Sequence, residues 1–201
     1  MTSLLLPPYR KTRTIGYERN ASGSLKCFGS IQVTFRSSDS DLNGVDDFHT
    51  ADVKGLYFIS VGTPTPVQIR MVEVSVALAD ADPDPGNDYI NPPNPPQTLK
   101  ARYWFKASKK YTDEGGLPQP YGRRHMDRFG FAAYPDPTRE GTDLAFIVNE
   151  EGAMRKFGPK SVRELWVRFP RKNSIDPDGI VKPEFDAWPA DPAAAGWSKL
   201  D

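Results

Sequence analysis

Between residues 13 and 38, in "RTIGYERNASGSLKCFGSIQVTFRSS", apolar side chains recur at Ala21, Leu25, Phe28, Ile31 and Phe35, at steps of four, three, three and four. That is the period of an α-helix with one apolar face, and it predicts a main helix over 14–38 preceded by an N-terminal arm, 1–13. Gly16, Gly23 and Gly29 each weaken a helix interior by about 1 kcal/mol relative to alanine. The helix must therefore be held by packing its stripe on another element, and the rest of the chain has to supply that element. The chain's only cysteine, Cys27, is placed in the apolar stripe and reads as a small buried hydrophobe.

Downstream, "TADVKGLYFI" suggests one or two further helical turns with Thr50 as N-cap. The run "VGTPTPVQIRMVEVSVALADADPDPG" places Ile69, Val72, Val76 and Ala79 at helical steps and is read as a helix, although its valines suit a strand equally. Residues 82–98 are a Pro-rich excursion in which no regular element fits. From 99 onward the period changes to two. "LKARYWFKAS", "RFGFAAY", "DLAFIVN" and, after a turn at "NEEG", "AMRKFG" read as four antiparallel strands with one apolar face within 99–158. A Pro-rich segment and tail, 159–201, follow, with "SVRELWVRFP" helical or extended. Trp188 and Trp197 in that tail predict that it packs on the body or on a partner. With 201 residues the chain is expected to form one domain of α+β class, a helix packed on a four-stranded antiparallel sheet.

"NASGSLKCFGSIQVTFRSSDSDLNGVDDF", "ARYWFKAS", "FGFAAYPDP", "FIVNEEGAMRKFGP" and the terminal "DPAAAGW" together resemble the soluble heads of type IV pilin-like and type II secretion pseudopilin-like proteins. They are most similar to a bacterial branch that pairs an Asn-Glu-Ala-Ser-type helix with a "FIVN-x-x-G" hairpin. The likeness touches about two thirds of the chain and is strongest over 17–48 and 128–158. It implies an N-terminal helix laid across an antiparallel sheet, with the helix's upstream half serving as membrane anchor and filament core. It also implies a structural subunit outside the cytoplasm, at the cell envelope or surface, that acts through contacts with other protein subunits. The prepilin cleavage motif and the long apolar stretch after it do not occur in this sequence. "LLLPPYRKTR" matches the point where that stretch would end, so the expectation is an anchor preceding Met1 or one that has been lost.

Few residues offer chemistry. In "DSDLNGVDDF", Asp39, Asp41 and Asn43 take the first, third and fifth places of a calcium loop, with Gly44 at the sixth, the Val45 carbonyl at the seventh and Asp47 at the ninth. The twelfth place holds Thr50 instead of a bidentate glutamate, leaving Asp46 or Asp52 as substitute ligands of a weak calcium site. The alternative is a helix-terminating turn in which Asp and Asn bond to their own backbone. His49 and His125 are the only histidines, and each reads more readily as a hydrogen-bonding residue than as a catalytic one. Arg123, Arg124 and Arg128 around His125 form a basic cluster suited to a solvated edge or to a partner's acidic patch. Together with Trp104, Trp188 and Trp197, Arg123 and Arg124 are candidate partner-binding residues. The adjacent Glu150 and Glu151 point apart as hairpin-turn residues.

With 26 basic and 26 acidic residues the net charge is zero, which removes the footprint of a nucleic-acid binder. No phosphate loop, dinucleotide fingerprint or nucleophile set occurs. The alternative to a structural subunit is a small-ligand or carbohydrate-binding module using Tyr103, Trp104 and the cluster around His125, stabilised by calcium.

Overall fold

The computed structural model describes residues 6–62, 64–87, 96–136, 144–150, 155–157, 187–195 and 197–199. Helix α1 runs Leu6–Ser37, so it begins well inside what the sequence suggests is an arm. Pro7 and Pro8 do not prevent this, because they fall in the first turn, where backbone N–H groups have no helical partner. The helix ends in a Schellman arrangement. Ser40 N–H reaches Phe35 O at 3.1 Å and Asp39 N–H reaches Arg36 O at 3.3 Å, while Asp39 takes the left-handed position at φ 42°. Among the described residues no helix is long and apolar enough to cross a membrane.

Ala21, Leu25, Phe28 and Phe35 are fully or almost fully buried, as their spacing requires. The remaining position on that face belongs to Gln32, which is also fully buried, while Ile31 lies at the margin of the core. Cys27 is exposed, contrary to expectation, because it sits off the stripe on the helix flank.

α1 lies against a five-stranded antiparallel sheet in the order β11-β10-β9-β8-β4, formed by Trp197–Lys199, Arg155–Phe157, Ala145–Asn149, Gly130–Pro135 and Tyr103–Ala107. All four expected strands are present, and the tail adds a fifth. Tyr103, Phe105, Ala107, Phe131, Ala133, Phe146 and Val148 alternate onto the helix-facing side and form the main core with Phe28. Phe28 stacks on Phe105 at 6.4 Å and on Phe131 at 4.6 Å between ring centroids.

The opposite face is apolar as well, which corrects the expectation of a single apolar face. Ala132, Tyr134, Ala145 and Ile147 form a second cluster with Ala81 and Trp197, and Trp104 and Trp188 pack at its margin. The tail's tryptophans thus anchor it to its own body. At the outer edge of β4, Ala81 N–H donates to Phe105 O and Phe105 N–H to Ala79 O, both at 2.8 Å, so this edge is occupied by the chain itself.

Three two-stranded ladders surround this body: β1 (Phe48–His49) with β7 (Arg124–His125), β2 (Ser60–Val61) with β3 (Val67–Gln68), and β5 (Lys110–Thr112) with β6 (Pro118–Pro120). α2 spans only Gly55–Phe58 and α3 only Val74–Leu78, so the helical periodicity from Ile69 is realised over five residues. Thr50 caps nothing; its hydroxyl donates to Gly122 O at 3.2 Å, and Asp52 takes the capping role. The turn at 151–154, most of the excursion at 88–95 and the segment 158–186 lie outside the described residues.

Because Phe28 is fully buried against Phe105 of β4 and Phe131 of β8, replacing it with alanine is expected to remove about 3–5 kcal/mol of stability. Cys27→Ala, on the exposed flank, should change stability by about 0.5 kcal/mol or less. Urea denaturation of both variants checks the contrast.

Candidate functional site

Three groups of functional residues suggested by the sequence meet the same small region, the junction of α1, β1 and β7. The loop 39–47 closes on itself. Asp39 accepts from Asn43 N–H and Gly44 N–H, each at 3.0 Å, and the Asn43 side-chain oxygen accepts from Val45 N–H at 2.7 Å. Asn43 Nδ2 donates to Asp41 at 3.1 Å and to Asp47 at 3.3 Å, and the Val45 carbonyl accepts from Asp47 N–H at 2.9 Å. Each of the five residues considered for calcium therefore has a partner within the loop, while Asp41 Oδ1 and Asp47 Oδ1 are buried without a hydrogen bond.

A cation does sit between the carboxylates, and it is Arg124. Its Nε lies 2.7 Å from Asp41 Oδ2 and 3.8 Å from Asp47 Oδ1, and its guanidinium stacks 5.4 Å from the Phe35 ring centroid. Strand β7 delivers it there by pairing Arg124 with His49. Burial raises the Asp47 pKa, with the Asn43 hydrogen bond opposing. Among the described residues, no group of three or more His, Cys, Asp or Glu side chains is arranged to hold a metal ion.

His49 is enclosed on every side. Gln32, from the buried face of α1, donates to His49 O at 2.7 Å and accepts from His49 N–H at 3.0 Å, so its amide acts as a strand partner for β1. The imidazole Nε2 lies 3.0 Å from Asp52 Oδ1, which fixes the proton on Nε2; Nδ1 is buried without a hydrogen-bond partner. Burial drives the His49 pKa below its ordinary value, and the Asp52 hydrogen bond only partly offsets this.

Asp52 and Asp80, both fully buried, organise the surrounding turns. Asp52 accepts from Gly55 N–H at 2.8 Å, from Asp84 N–H at 2.8 Å and from Asn87 Nδ2 at 3.0 Å. Asp80 accepts from Val53 N–H, Lys54 N–H and Asp82 N–H at 2.8, 2.7 and 3.0 Å. Burial, then the neighbouring Asp52 charge, push Asp80 up to about 7, against the pull of those N–H groups. Gly55 has no room for a side chain, since a Cβ there would fall 2.5 Å from Asp52 and 2.8 Å from the His49 ring. With neither His49 nor Asp52 open to solvent, this pair cannot meet a substrate, and its chemistry is that of a structural clasp.

The other candidates are likewise engaged internally. Arg123 pairs with Asp84 at 2.7 Å and with the Asn87 side chain. His125 Nδ1 accepts from Asp127 N–H and Arg128 N–H at 3.1 and 3.0 Å. Arg128 stacks 5.0 Å from the Tyr111 ring centroid, and Glu150 accepts from Phe129 N–H at 3.2 Å. Trp104 is half-buried and packs against the second cluster. Sequence reading missed Gln32 and Asp80, and it considered Asp52 only as a substitute calcium ligand and not as the partner of His49. Only the polar residue interrupting an apolar helical face could have pointed to the first, and nothing local marks the other two. Comparison with known proteins gives no match to a protein-family model, a curated protein or a solved structure.

The two buried titrating groups act on stability with opposite sign. Asp80's folded pKa lies above its ordinary 3.8, so its contribution is full below about pH 4 and declines as pH rises to about 7. His49's folded pKa lies below its ordinary 6.5, so the unfolded chain alone takes up that proton and stability falls as pH drops below 6.5. Asp80→Asn should thus leave a urea midpoint that rises between about pH 5 and 7, and His49→Gln one that falls over the same range. Denaturation at a series of pH values distinguishes the slopes. Arg124→Gln, which leaves two largely buried carboxylates without their cation, should cost about 2–4 kcal/mol. Calcium should leave the melting temperature of the parent chain unchanged, because the Arg124 guanidinium already occupies the space between Asp41 and Asp47; calorimetric scans with and without the ion test this.

Proposed function

We propose that the chain is a non-enzymatic structural subunit, a pilin-like head that works by protein–protein contact in a filament or a larger assembly. The observation that carries this reading is the outward face of α1. Its buried side chains run from Ala21 to Phe35, whereas those from Thr12 to Asn20 are exposed or half-buried. The helix therefore continues beyond the core that secures it.

Gly16 and Gly23, two turns apart, lie on the side away from that core, and a Cβ added to either would meet nothing within 4 Å. Neither glycine is needed for packing within the chain, and each weakens the helix by about 1 kcal/mol relative to alanine. Small residues on a helix let a second backbone approach closely, as they do in helix pairs generally. Val33, 61% exposed, and Ile15, 41% exposed, add apolar surface on the adjoining flank of the helix. A layer of helices packed through this face accounts for both the glycines and the overhang.

Helix stability and assembly then respond in opposite directions. Gly23→Ala should stabilise the isolated chain by about 0.5–1 kcal/mol. Gly23→Leu should leave the fold intact and abolish concentration-dependent self-association in sedimentation velocity or native mass spectrometry. A parent chain that stays monomeric up to about millimolar concentration, where even weak contacts form, and engages no other subunit would refute the proposal.

A further inference from the structure

Lys100 to Tyr103 form a two-residue hairpin turn closed by Lys100 N–H to Tyr103 O at 3.2 Å and Tyr103 N–H to Lys100 O at 2.9 Å. Its central residues, Ala101 and Arg102, have φ of 49° and 68°. Two consecutive left-handed residues are the geometry that Asn-Gly adopts readily; an alanine followed by an arginine adopts it under strain. Strain held at a specific side chain is a signature of sites where that side chain's position matters.

The strained turn carries the Arg102 guanidinium over the ring of Tyr17 on α1, its Cζ 4.9 Å from the centroid. Arg13, one helical turn before Tyr17, donates from Nη2 to the Tyr17 hydroxyl at 2.8 Å, with its Cζ 5.8 Å from the same centroid. Two cations from separate elements thus converge on one phenol. The Arg13 hydrogen bond is the main reason that the hydroxyl's pKa is lowered, and both guanidinium charges contribute. Arg13 is exposed, and Tyr17 and Arg102 are half-buried, so the cluster can be reached from solvent.

We propose that Arg13, Tyr17 and Arg102 form a binding site for a phosphate group. The guanidinium fork matches the oxygens of a phosphate, and a tyrosine hydroxyl that accepts from Arg13 retains its own hydrogen for donation to a ligand. Glu18 follows Tyr17 along the helix, and Asp136 donates its N–H to Arg102 O at 3.0 Å. A dianion is attracted to the two guanidinium charges more strongly than a monoanion, which favours phosphate over a carboxylate ligand. The site does not depend on the subunit reading, since it is built from one chain.

Isothermal titration with inorganic phosphate, against sodium chloride at matched ionic strength, tests the site directly. Saturable binding is expected, weakened about tenfold or more in Arg13→Gln and in Arg102→Gly. The glycine variant should melt at or above the parent temperature, because glycine relaxes the left-handed turn; a loss of affinity from general unfolding would lower it. Sedimentation with phosphatidylcholine vesicles, with and without phosphatidylglycerol, identifies the source. Capture by the anionic vesicles alone supports a lipid headgroup, and phosphate binding without capture supports a soluble phosphate ester. No saturable phosphate binding, an affinity unchanged in both variants, an unfolded Arg102→Gly, or tighter binding of polyglutamate than of phosphate would overturn the proposal.

Discussion

The seat of Phe28 between Phe105 and Phe131 is the contact on which the rest of this structure depends. It is where the helix stripe and the central strands meet, and neither is self-sufficient. α1 contains glycines that weaken it, and a sheet of short strands needs a covered apolar face to persist in water. Burying one against the other satisfies both requirements. Because β4, β8 and β9 present alternate residues to opposite sides, the same pairing register that aligns Phe105 and Phe131 under the helix places Trp104, Tyr134 and Ile147 on the reverse face. The tail tryptophans can then close that second face without disturbing the first.

Away from the sheet, much of the chain between 39 and 87 has little regular structure, and its order comes from buried side chains acting as backbone partners. Gln32 stands in for a strand beside His49, while Asp52 and Asp80 receive N–H groups that would otherwise be unpaired in the turns. A buried carboxylate accepting several N–H bonds is a strong organiser but an unforgiving one, since removal of either partner leaves a desolvated polar group. Arg124 does the same for the loop after α1, holding charge that the turn alone could not neutralise.

Periodicity made the helix stripe and strands β4, β8 and β9 legible, because each buries a whole face and so leaves a repeating mark. It failed at Gln32, which occupies a stripe position with a polar side chain, and at Cys27, which neighbours the stripe but projects from the flank. It also merged β3 and α3 into one helix, since valines at mixed spacing carry both periods. The loop at 39–47 shows why an acidic motif underdetermines chemistry. Its oxygen spacing suits a cation, yet which cation arrives depends on β7, whose Arg124 is 83 positions away from Asp41 in sequence. The clasp of His49, Asp52 and Asp80 is invisible for the same reason, because three turns must fold before its members touch.

Two places break local rules without return inside the chain. Gly16 and Gly23 soften a helix on a side where nothing packs, and Ala101 and Arg102 hold a left-handed turn that glycine would relax. Other departures have an internal reason: Gly55 avoids the His49 ring, and Asp39 closes the Schellman turn. Natural sequences tend to be consistent from local preference to global packing, so an uncompensated departure locates a demand from outside the fold. Both of these lie on or against α1, one along its outward face and one where Arg102 meets Tyr17. On the readings proposed above, the helix that secures the core is also the element through which this protein meets other molecules.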